Sequence, residues 1–305
     1  MTTTGDFRYL DPASISPTAK PWAKVDTPAN SYTSTTRQRT VSNIRDLEPG
    51  LFGTDIDVGG FAVHHAPAET KTFPSDAAVR ASYYPEVEAL LRAKLPGVSR
   101  VTIFDHTIRR HDPTSPRQPV QQVHVDQTPS AAAARVRRHV DLPPSEVDAL
   151  LQKRHQLINV WRPISHPASD FPLAVVDWRS TTPDDLVPVD LLYPIANRAD
   201  GVDDDRGKEV LPDLSTASST EGYEVKGETY GVLPSEEHRF YYVKDMTPDE
   251  AMFIKCFDSW GEGKPGGRKG VAALTPHTAF IDPATPAGAK GRESIEVRCL
   301  VFYDE

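Results

Sequence analysis

Prolines interrupt this chain throughout, and their spacing limits the elements that it can form. The 305 residues include 28 prolines, each of which removes a backbone donor and disfavours helix interiors and inner strands. Only Pro85–Lys94 and Pro143–Leu157 carry an apolar stripe at helical spacing. Short segments rich in β-branched residues indicate strands, among them 98–109, 158–163, 251–257 and 294–303. The chain is therefore predicted to be mainly β with flanking helices, as a sandwich or jelly roll.

The length favours one large domain, because 305 residues can fold around a single core. Residues 1–45 are rich in Thr, Ser and Pro with little periodicity, so we expect an extended N-terminal arm. Residues 46–305 would then form a single β domain. Within it, the acidic and polar segment Asp200–Glu221 is predicted to be a surface excursion.

Composition narrows the class of partner. A formal charge of −9 without a basic stripe argues against nucleic acid, and no apolar run approaches the roughly 18 residues of a membrane helix. The N-terminus lacks the apolar stretch of a secretory signal. The two cysteines, Cys256 and Cys299, lack the spacing of a thiolate metal site. We therefore expect a cytoplasmic protein with a small-molecule substrate.

The sharpest local feature is the triplet His124-Val-Asp126. In a strand its first and third side chains point to the same face and can bind one metal ion. An identical triplet, His139-Val-Asp141, follows three arginines within residues 135–138, and their charges would repel a cation. His277 is the candidate third ligand. Two histidines and one carboxylate form the metal-binding face of non-haem iron(II) oxygenases.

The predicted C-terminal strand has a polar face whose arginines need a ligand or an oppositely charged side chain. Alternation places Arg292, Ser294, Glu296 and Arg298 on one side. Inside a barrel an unpaired guanidinium is costly, whereas its planar fork matches a carboxylate to which a serine can also donate. Arg292, Ser294 and Arg298 are thus the predicted ligands of 2-oxoglutarate. The alternative pairs both arginines with glutamates on an exposed face, but the fifteen-residue distance from His277 to Arg292 favours the oxoacid.

Three further side chains, Arg162, Tyr242 and Lys255, are candidates for binding the substrate. Each has a structural alternative. Arg162 could stack on Trp161 at the surface, the Tyr242 ring could lie in the core, and Lys255 could pair with Asp258. For the tyrosine and the lysine we prefer the structural alternative.

Several motifs together resemble a known family: Val123–Thr128, Ile158–Ile164, Pro172–Asp177, Tyr241–Glu250, Lys255–Ser259, Thr275–Phe280 and Arg292–Tyr303. The sequence resembles the fungal and bacterial hydroxylase/desaturase family, which includes gibberellin desaturase-like and cephem methoxylase subunit-like proteins. The resemblance implies a cupin-like double-stranded β-helix that uses iron(II), 2-oxoglutarate and dioxygen. It also implies His124 rather than His139 as a ligand, and Arg292-x-Ser294 as the oxoacid motif.

The expected function is hydroxylation, desaturation or cyclisation of a small specialised metabolite, with release of succinate and carbon dioxide. Two alternatives stay open at this point. One is a metal-dependent jelly-roll enzyme that does not use 2-oxoglutarate. The other is a noncatalytic barrel that serves as the partner subunit of another enzyme.

Overall fold

The computed structural model describes residues 2–47, 55–195 and 219–304, and strands dominate these ranges. The predicted excursion over residues 200–221 lies almost entirely outside them. The strands are β1 Thr2–Leu10, β2 Trp22–Lys24, β3 Ser34–Asn43, β4 Phe61–His65, β5 Val98–Arg110, β6 His124–Val125, β7 His155–Pro163, β8 Leu173–Val176, β9 Leu186–Pro194, β10 Tyr223–Val232, β11 Phe240–Tyr242, β12 Glu250–Asp258, β13 His277–Ala279 and β14 Glu293–Tyr303. The helices are α1 Ile56–Gly59, α2 Asp76–Ala78, α3 Tyr84–Lys94, α4 Pro129–His139 and α5 Pro144–Gln152, and a π-helical turn spans Val79–Tyr83.

The described strands form two sheets. The larger sheet has the strand order β1-β3-β11-β8-β13-β6-β10-β9-β2, and the smaller sheet has the order β4-β12-β7-β14-β5. Apolar side chains from both sheets pack together, with Trp161 and Met252 of the smaller sheet in one cluster with Leu173 and Val175 of the larger. The two sheets therefore enclose a common interior. The predicted fold, a mainly β jelly roll or double-stranded β-helix with flanking helices, is confirmed.

The N-terminal segment is built into the larger sheet, which differs from the expected arm. Strand β1 pairs antiparallel with β3, residues 2–10 against 34–42, and β3 pairs in parallel with β11. Phe7 and Tyr9 are fully buried, and the Phe7 ring stacks on Phe240 with centroids 4.0 Å apart. The alternation of these two aromatics within β1 was the missed strand signal. The division of the chain at residue 45 stays a prediction.

Helix α3 covers the outer face of the smaller sheet, whereas α4 and α5 pack against Leu157, Leu300 and Phe302 at one end of its inner face. Val87 and Leu91 of α3 pack against Ile295 and Val297 of β14, as the apolar stripe predicted. Helix α4 was not predicted, although its alanines favour a helix and the Thr128 side chain caps it by accepting from the backbone of residue 131. No helix among the described residues is long and apolar enough to cross a membrane.

Candidate active site

Three potential metal ligands converge on the inner face of the larger sheet. His124 opens β6, Asp126 follows it, and His277 opens the neighbouring β13 in direct register with His124. Asp126 Oδ1 lies 3.3 Å from His124 Nε2 and 3.9 Å from His277 Nε2, and all three ligand atoms lie within 4.8 Å of one another. Ligand atoms that bind one ion at about 2.1 Å and at right angles are about 3.0 Å apart. The spacing therefore fits a single metal ion.

Backbone carbonyls orient both imidazoles toward that point. His124 Nδ1 donates to the carbonyl of Gln122 at 2.7 Å, and His277 Nδ1 donates to the carbonyl of Thr275 at 3.1 Å. A proton on Nδ1 leaves the Nε2 lone pair free. Each histidine thus presents Nε2 as its metal-binding atom.

The charges of the three ligands are set by their burial and by one another. Burial alone would raise the pKa of Asp126, but the charge of Arg298 and the contact with His124 hold it well below its usual range. Burial would lower the pKa of His124, yet the hydrogen bond and charge of Asp126 raise it. For His277, burial and the charge of His124 lower the pKa. The carboxylate is therefore ionised, which suits a divalent cation.

Two donors bind the second oxygen of Asp126. Asn159 Nδ2 donates to Oδ2 at 2.7 Å, and Arg298 Nε donates to it at 3.3 Å. Arg298 also contacts Asp105 at 2.8 Å and Glu296 at 2.9 Å. The predicted oxoacid role of Arg298 is therefore not supported. It shares a face with Arg292, but six residues of strand separate the two by roughly 20 Å.

A pocket between the sheets extends from the metal ligands to the start of β14. Its apolar lining includes Val120, Trp161 and Leu173. Its polar lining beyond the ligands comprises Thr107, Arg109, Thr278, Arg292, Ser294 and Glu296. Metal ligands at one end and two arginines at the other suit a molecule that chelates a metal and carries an anionic group.

Arg292 is held in place while its buried Nε stays unpaired among the described residues. Its side chain is 2% exposed, lies over the Trp161 ring at 5.6 Å and donates from Nη1 to the carbonyl of Phe171 at 2.8 Å. Nε has no hydrogen-bond partner among the described residues. Burial, and then the charge of Arg109, lower the pKa of Arg292 to about 9. A buried cation with a free donor fits a carboxylate.

The loop before β8 positions this arginine. Asp170 Oδ2 accepts from the backbone N–H of Arg292 at 3.0 Å. Phe171 adopts φ +43°, a conformation that is costly for a bulky residue and is retained where surrounding structure enforces it. In this conformation the carbonyl of Phe171 accepts the hydrogen bond from Arg292 Nη1. The strained residue thus helps to hold the Arg292 guanidinium in place.

Several pocket residues were not predicted from the sequence, among them Arg109, Trp161 and Thr107. Arg109 had only been assigned to a predicted strand, and Trp161 had been considered only as a stacking partner of Arg162. Thr107 and Arg109 alternate at the end of β5, and both line the pocket. This polar alternation beside the Arg292 strand was the available signal.

Arg162 and Tyr242 do not reach the pocket. Arg162 is buried and donates to the Tyr83 hydroxyl at 2.9 Å and to the carbonyls of Ala66 and Pro248. It follows Trp161 in β7, so it points to the opposite face. Tyr242 packs in a different cluster, edge-on to Phe280 and together with Phe7. The substrate-binding prediction is not supported for either residue.

Lys255 is likewise structural. It is fully buried, and its Nζ contacts Asp57 at 2.5 Å, Asp258 at 2.8 Å and the carbonyl of Ala272 at 3.0 Å. This includes the Asp258 pairing that was the preferred alternative. The second triplet also lies elsewhere, because His139 ends α4 and stacks on Phe104 with centroids 4.9 Å apart.

Comparison with known proteins agrees with this geometry. Residues 7–302 match a family model described as an oxidoreductase/YMDC permease-like domain. The hydroxylase/desaturase poxK of Penicillium oxalicum is 32% identical over 283 residues, which cover 90% of this chain and 82% of that protein. The Fe(II)/2-oxoglutarate-dependent dioxygenase nvfI of Aspergillus novofumigatus is 31% identical over 264 residues, covering 84% of this chain and 81% of that protein.

A solved structure extends the similarity to the whole fold. The iron and alpha-ketoglutarate-dependent endoperoxidase NvfI superposes with a TM-score of 0.74 at 26% identity, covering 100% of this chain and 99% of that one. Sequence and fold thus point to the same group of enzymes. The chain belongs to the hydroxylase/desaturase family of iron(II)- and 2-oxoglutarate-dependent oxygenases.

Proposed function

We propose that His124, Asp126 and His277 bind iron(II), and that Arg292 and Ser294 bind the distal carboxylate of 2-oxoglutarate. The enzyme would hydroxylate, desaturate or cyclise a small specialised metabolite and release succinate and carbon dioxide. One observation carries the proposal. The three converging ligand atoms lie in the same pocket as a buried arginine whose Nε has no partner among the described residues.

Iron(II) with a bound oxoacid supplies the activation of dioxygen that permits attack on an unactivated carbon. The chain's own residues position the reactants. Three protein ligands leave coordination positions open, Arg292 and Ser294 orient the oxoacid, and the apolar wall that includes Trp161 and Leu173 limits water in the pocket. Relatives are named as hydroxylase/desaturases and as an endoperoxidase, so the reaction outcome varies on this scaffold.

The pocket favours this function over the two alternatives. A metal enzyme without an oxoacid would not need a buried arginine with a free donor beside a serine at the far end of the pocket. A noncatalytic barrel would not need the three ligands and their oriented imidazoles. Both features are present together in this chain.

Anaerobic titration with iron(II) and 2-oxoglutarate tests the proposal. We expect a visible charge-transfer band in the wild type, no band in His277→Ala, and a Kd for 2-oxoglutarate raised at least about tenfold in Arg292→Ala. Arg110→Ala is the matched control, because Arg110 is exposed and paired with Glu293 at 3.1 Å. A wild type without the band, or an Arg292→Ala variant with unchanged Kd, would refute the proposal.

A further inference from the structure

Arg109 lies beside the proposed oxoacid serine. Strand β5 pairs antiparallel with β14, and Arg109 is the direct partner of Ser294. Side chains at paired positions point to the same face of a sheet. Arg109, Arg292 and Ser294 accordingly line one pocket.

The guanidinium of Arg109 has no carboxylate partner in the described part of the chain. Its Nη1 donates to the carbonyl of Gln118 at 3.1 Å, which anchors one side of the guanidinium. Glu296 lines the same pocket, but its Oε1 accepts from Arg298 at 2.9 Å. The remaining donors of Arg109 are therefore available to a ligand.

Two like charges in one enclosed space repel each other. Burial lowers the pKa of Arg109 to about 10, and for Arg292 the charge of Arg109 is the largest cause after burial that lowers the pKa. Such a pair is unfavourable without an anion between or beside its members. An arriving carboxylate would relieve the repulsion and give the buried Nε of Arg292 the partner that it lacks among the described residues.

The charges around the pocket lead to the same conclusion. Asp105, Asp126 and Glu296 surround Arg298, and these three negative charges are balanced by Arg298 together with a divalent metal. Arg109 and Arg292 add two positive charges, which the charge of Asp170 beside Arg292 offsets in part. The metal-loaded pocket therefore keeps a positive charge at this end, which favours an anionic ligand such as a dicarboxylic oxoacid.

We propose that Arg109 and Arg292 together bind the distal carboxylate of the oxoacid, with Ser294 between them. This carboxylate seat, defined as Arg109, Arg292 and Ser294, rests on the proposed function and sharpens it. It makes the site selective for a dicarboxylic oxoacid over a monocarboxylic one. Arg109 is thereby assigned as a binding residue for the cosubstrate.

The test compares two ligands of equal chain length, 2-oxoglutarate and 2-oxopentanoate, which lacks the distal carboxylate. Their Kd values are measured anaerobically with iron(II), by calorimetry, on the wild type, Arg109→Leu and Arg109→Lys. We expect Arg109→Leu to raise the Kd of 2-oxoglutarate at least about tenfold and to change that of 2-oxopentanoate by less than about twofold. Arg109→Lys keeps the positive charge, so it should raise the Kd of 2-oxoglutarate less than Arg109→Leu does.

Arg110→Leu is the matched control, since it is the same substitution on the next residue, which is exposed and faces away from the pocket. It should leave both Kd values unchanged. Equal weakening of both ligands in Arg109→Leu would indicate a structural role and overturn the proposal. An unchanged Kd for 2-oxoglutarate would also overturn it, as expected if Arg109 instead received a carboxylate of the primary substrate.

Failure of the underlying function gives a different result. A wild type that binds neither ligand, or binds both equally, contradicts 2-oxoglutarate as the cosubstrate. A wild type that prefers 2-oxoglutarate, with an Arg109→Leu variant that keeps the full preference, contradicts only the role of Arg109. Circular dichroism and melting temperature of each variant verify that it is folded.

Discussion

Arg298 donates from Nε to Oδ2 of Asp126 at 3.3 Å, and this contact leaves Oδ1 as the oxygen that faces both histidines. Asn159 donates to the same Oδ2 at 2.7 Å. One carboxylate oxygen is thus occupied by Asn159 and Arg298, and the other faces the two histidines. Asp126 is thereby prepared to bind a metal through a single oxygen.

Removing a donor from Oδ2 should weaken metal binding. Asn159→Leu replaces a fully buried amide by an apolar side chain of similar size, so Asp126 loses one constraint and can rotate. Partners that orient metal ligands are typically worth about 10- to 100-fold in affinity. We expect a loss in this range, measured by calorimetric titration with iron(II) or manganese(II).

Asn43→Leu provides the control for a lost buried amide. Asn43 is 6% exposed and contacts Asp46 and the backbone of Lys244, none of which lies in the metal pocket. It should lower the melting temperature without changing the metal Kd. A folded Asn159→Leu protein with wild-type metal affinity would show that the contact with Asp126 is incidental.

Much of the site was predictable because its signals are local. The period of two in a strand places His124 and Asp126 on one face, and the same period groups Arg292 with Ser294. The arginines that precede His139 favoured His124 as the metal ligand. Such patterns depend only on a few adjacent residues.

The site predictions that the structure does not support share one physical cause. Alternation groups the residues of one face, but long-range packing decides which face meets the pocket, so Trp161 lines it and Arg162 does not. The partner of a charged side chain is equally non-local. Asp57, which pairs with Lys255, is 198 residues away in sequence, and Arg298 contacts Asp126 across 172 residues.

Lys255→Met should destabilise the fold without affecting ligand binding. The substitution keeps the length but leaves the fully buried Asp258 and the neighbouring Asp57 without this cation. Breaking a buried ion pair typically costs about 3–5 kcal/mol; because Arg154 still contacts both carboxylates, we expect the lower end. Urea unfolding measures the change.

Lys71→Met is the comparison for an exposed pair. Lys71 contacts Asp249 at 3.1 Å with both side chains more than half exposed, and such pairs are worth about 0–1 kcal/mol. A Lys255→Met protein of normal stability that has lost affinity for its substrate would reinstate Lys255 as a substrate-binding residue.

Gly60→Ala should disturb His277 through the backbone that orients it. Gly60 has φ +91°, and an added Cβ would lie 2.1 Å from Thr275 Oγ1 and 2.8 Å from the carbonyl of Leu274. The carbonyl of Thr275 accepts from His277 Nδ1, so a displaced Thr275 changes the imidazole orientation. We expect weaker metal binding together with lower stability, measured by calorimetry and thermal unfolding.

Gly222→Ala separates the steric clash from backbone strain. Gly222 has φ +79°, and its added Cβ would meet no atom within 4 Å among the described residues. The Gly222→Ala variant should lose some stability, because alanine is strained at positive φ. Its Kd for the metal should stay at the wild-type value. Equal metal affinity in the two variants would contradict the proposed coupling between Gly60 and His277.

Metal binding should become weaker as the pH falls, with release of one proton. Asp126 raises the pKa of His124 above its ordinary 6.5, so this imidazole is protonated in the metal-free protein below the raised value. The metal must displace that proton, and its apparent affinity then falls roughly tenfold per pH unit.

The pKa of His277 is lowered instead, so His277 stays neutral to a lower pH than His124 and contributes fewer released protons. Calorimetric metal titrations between about pH 8 and pH 6, in buffers of different ionisation enthalpy, measure the number of protons released. We expect the number to approach one at the acidic end. Zero protons would contradict the raised pKa of His124, and two would mean that the histidines titrate alike.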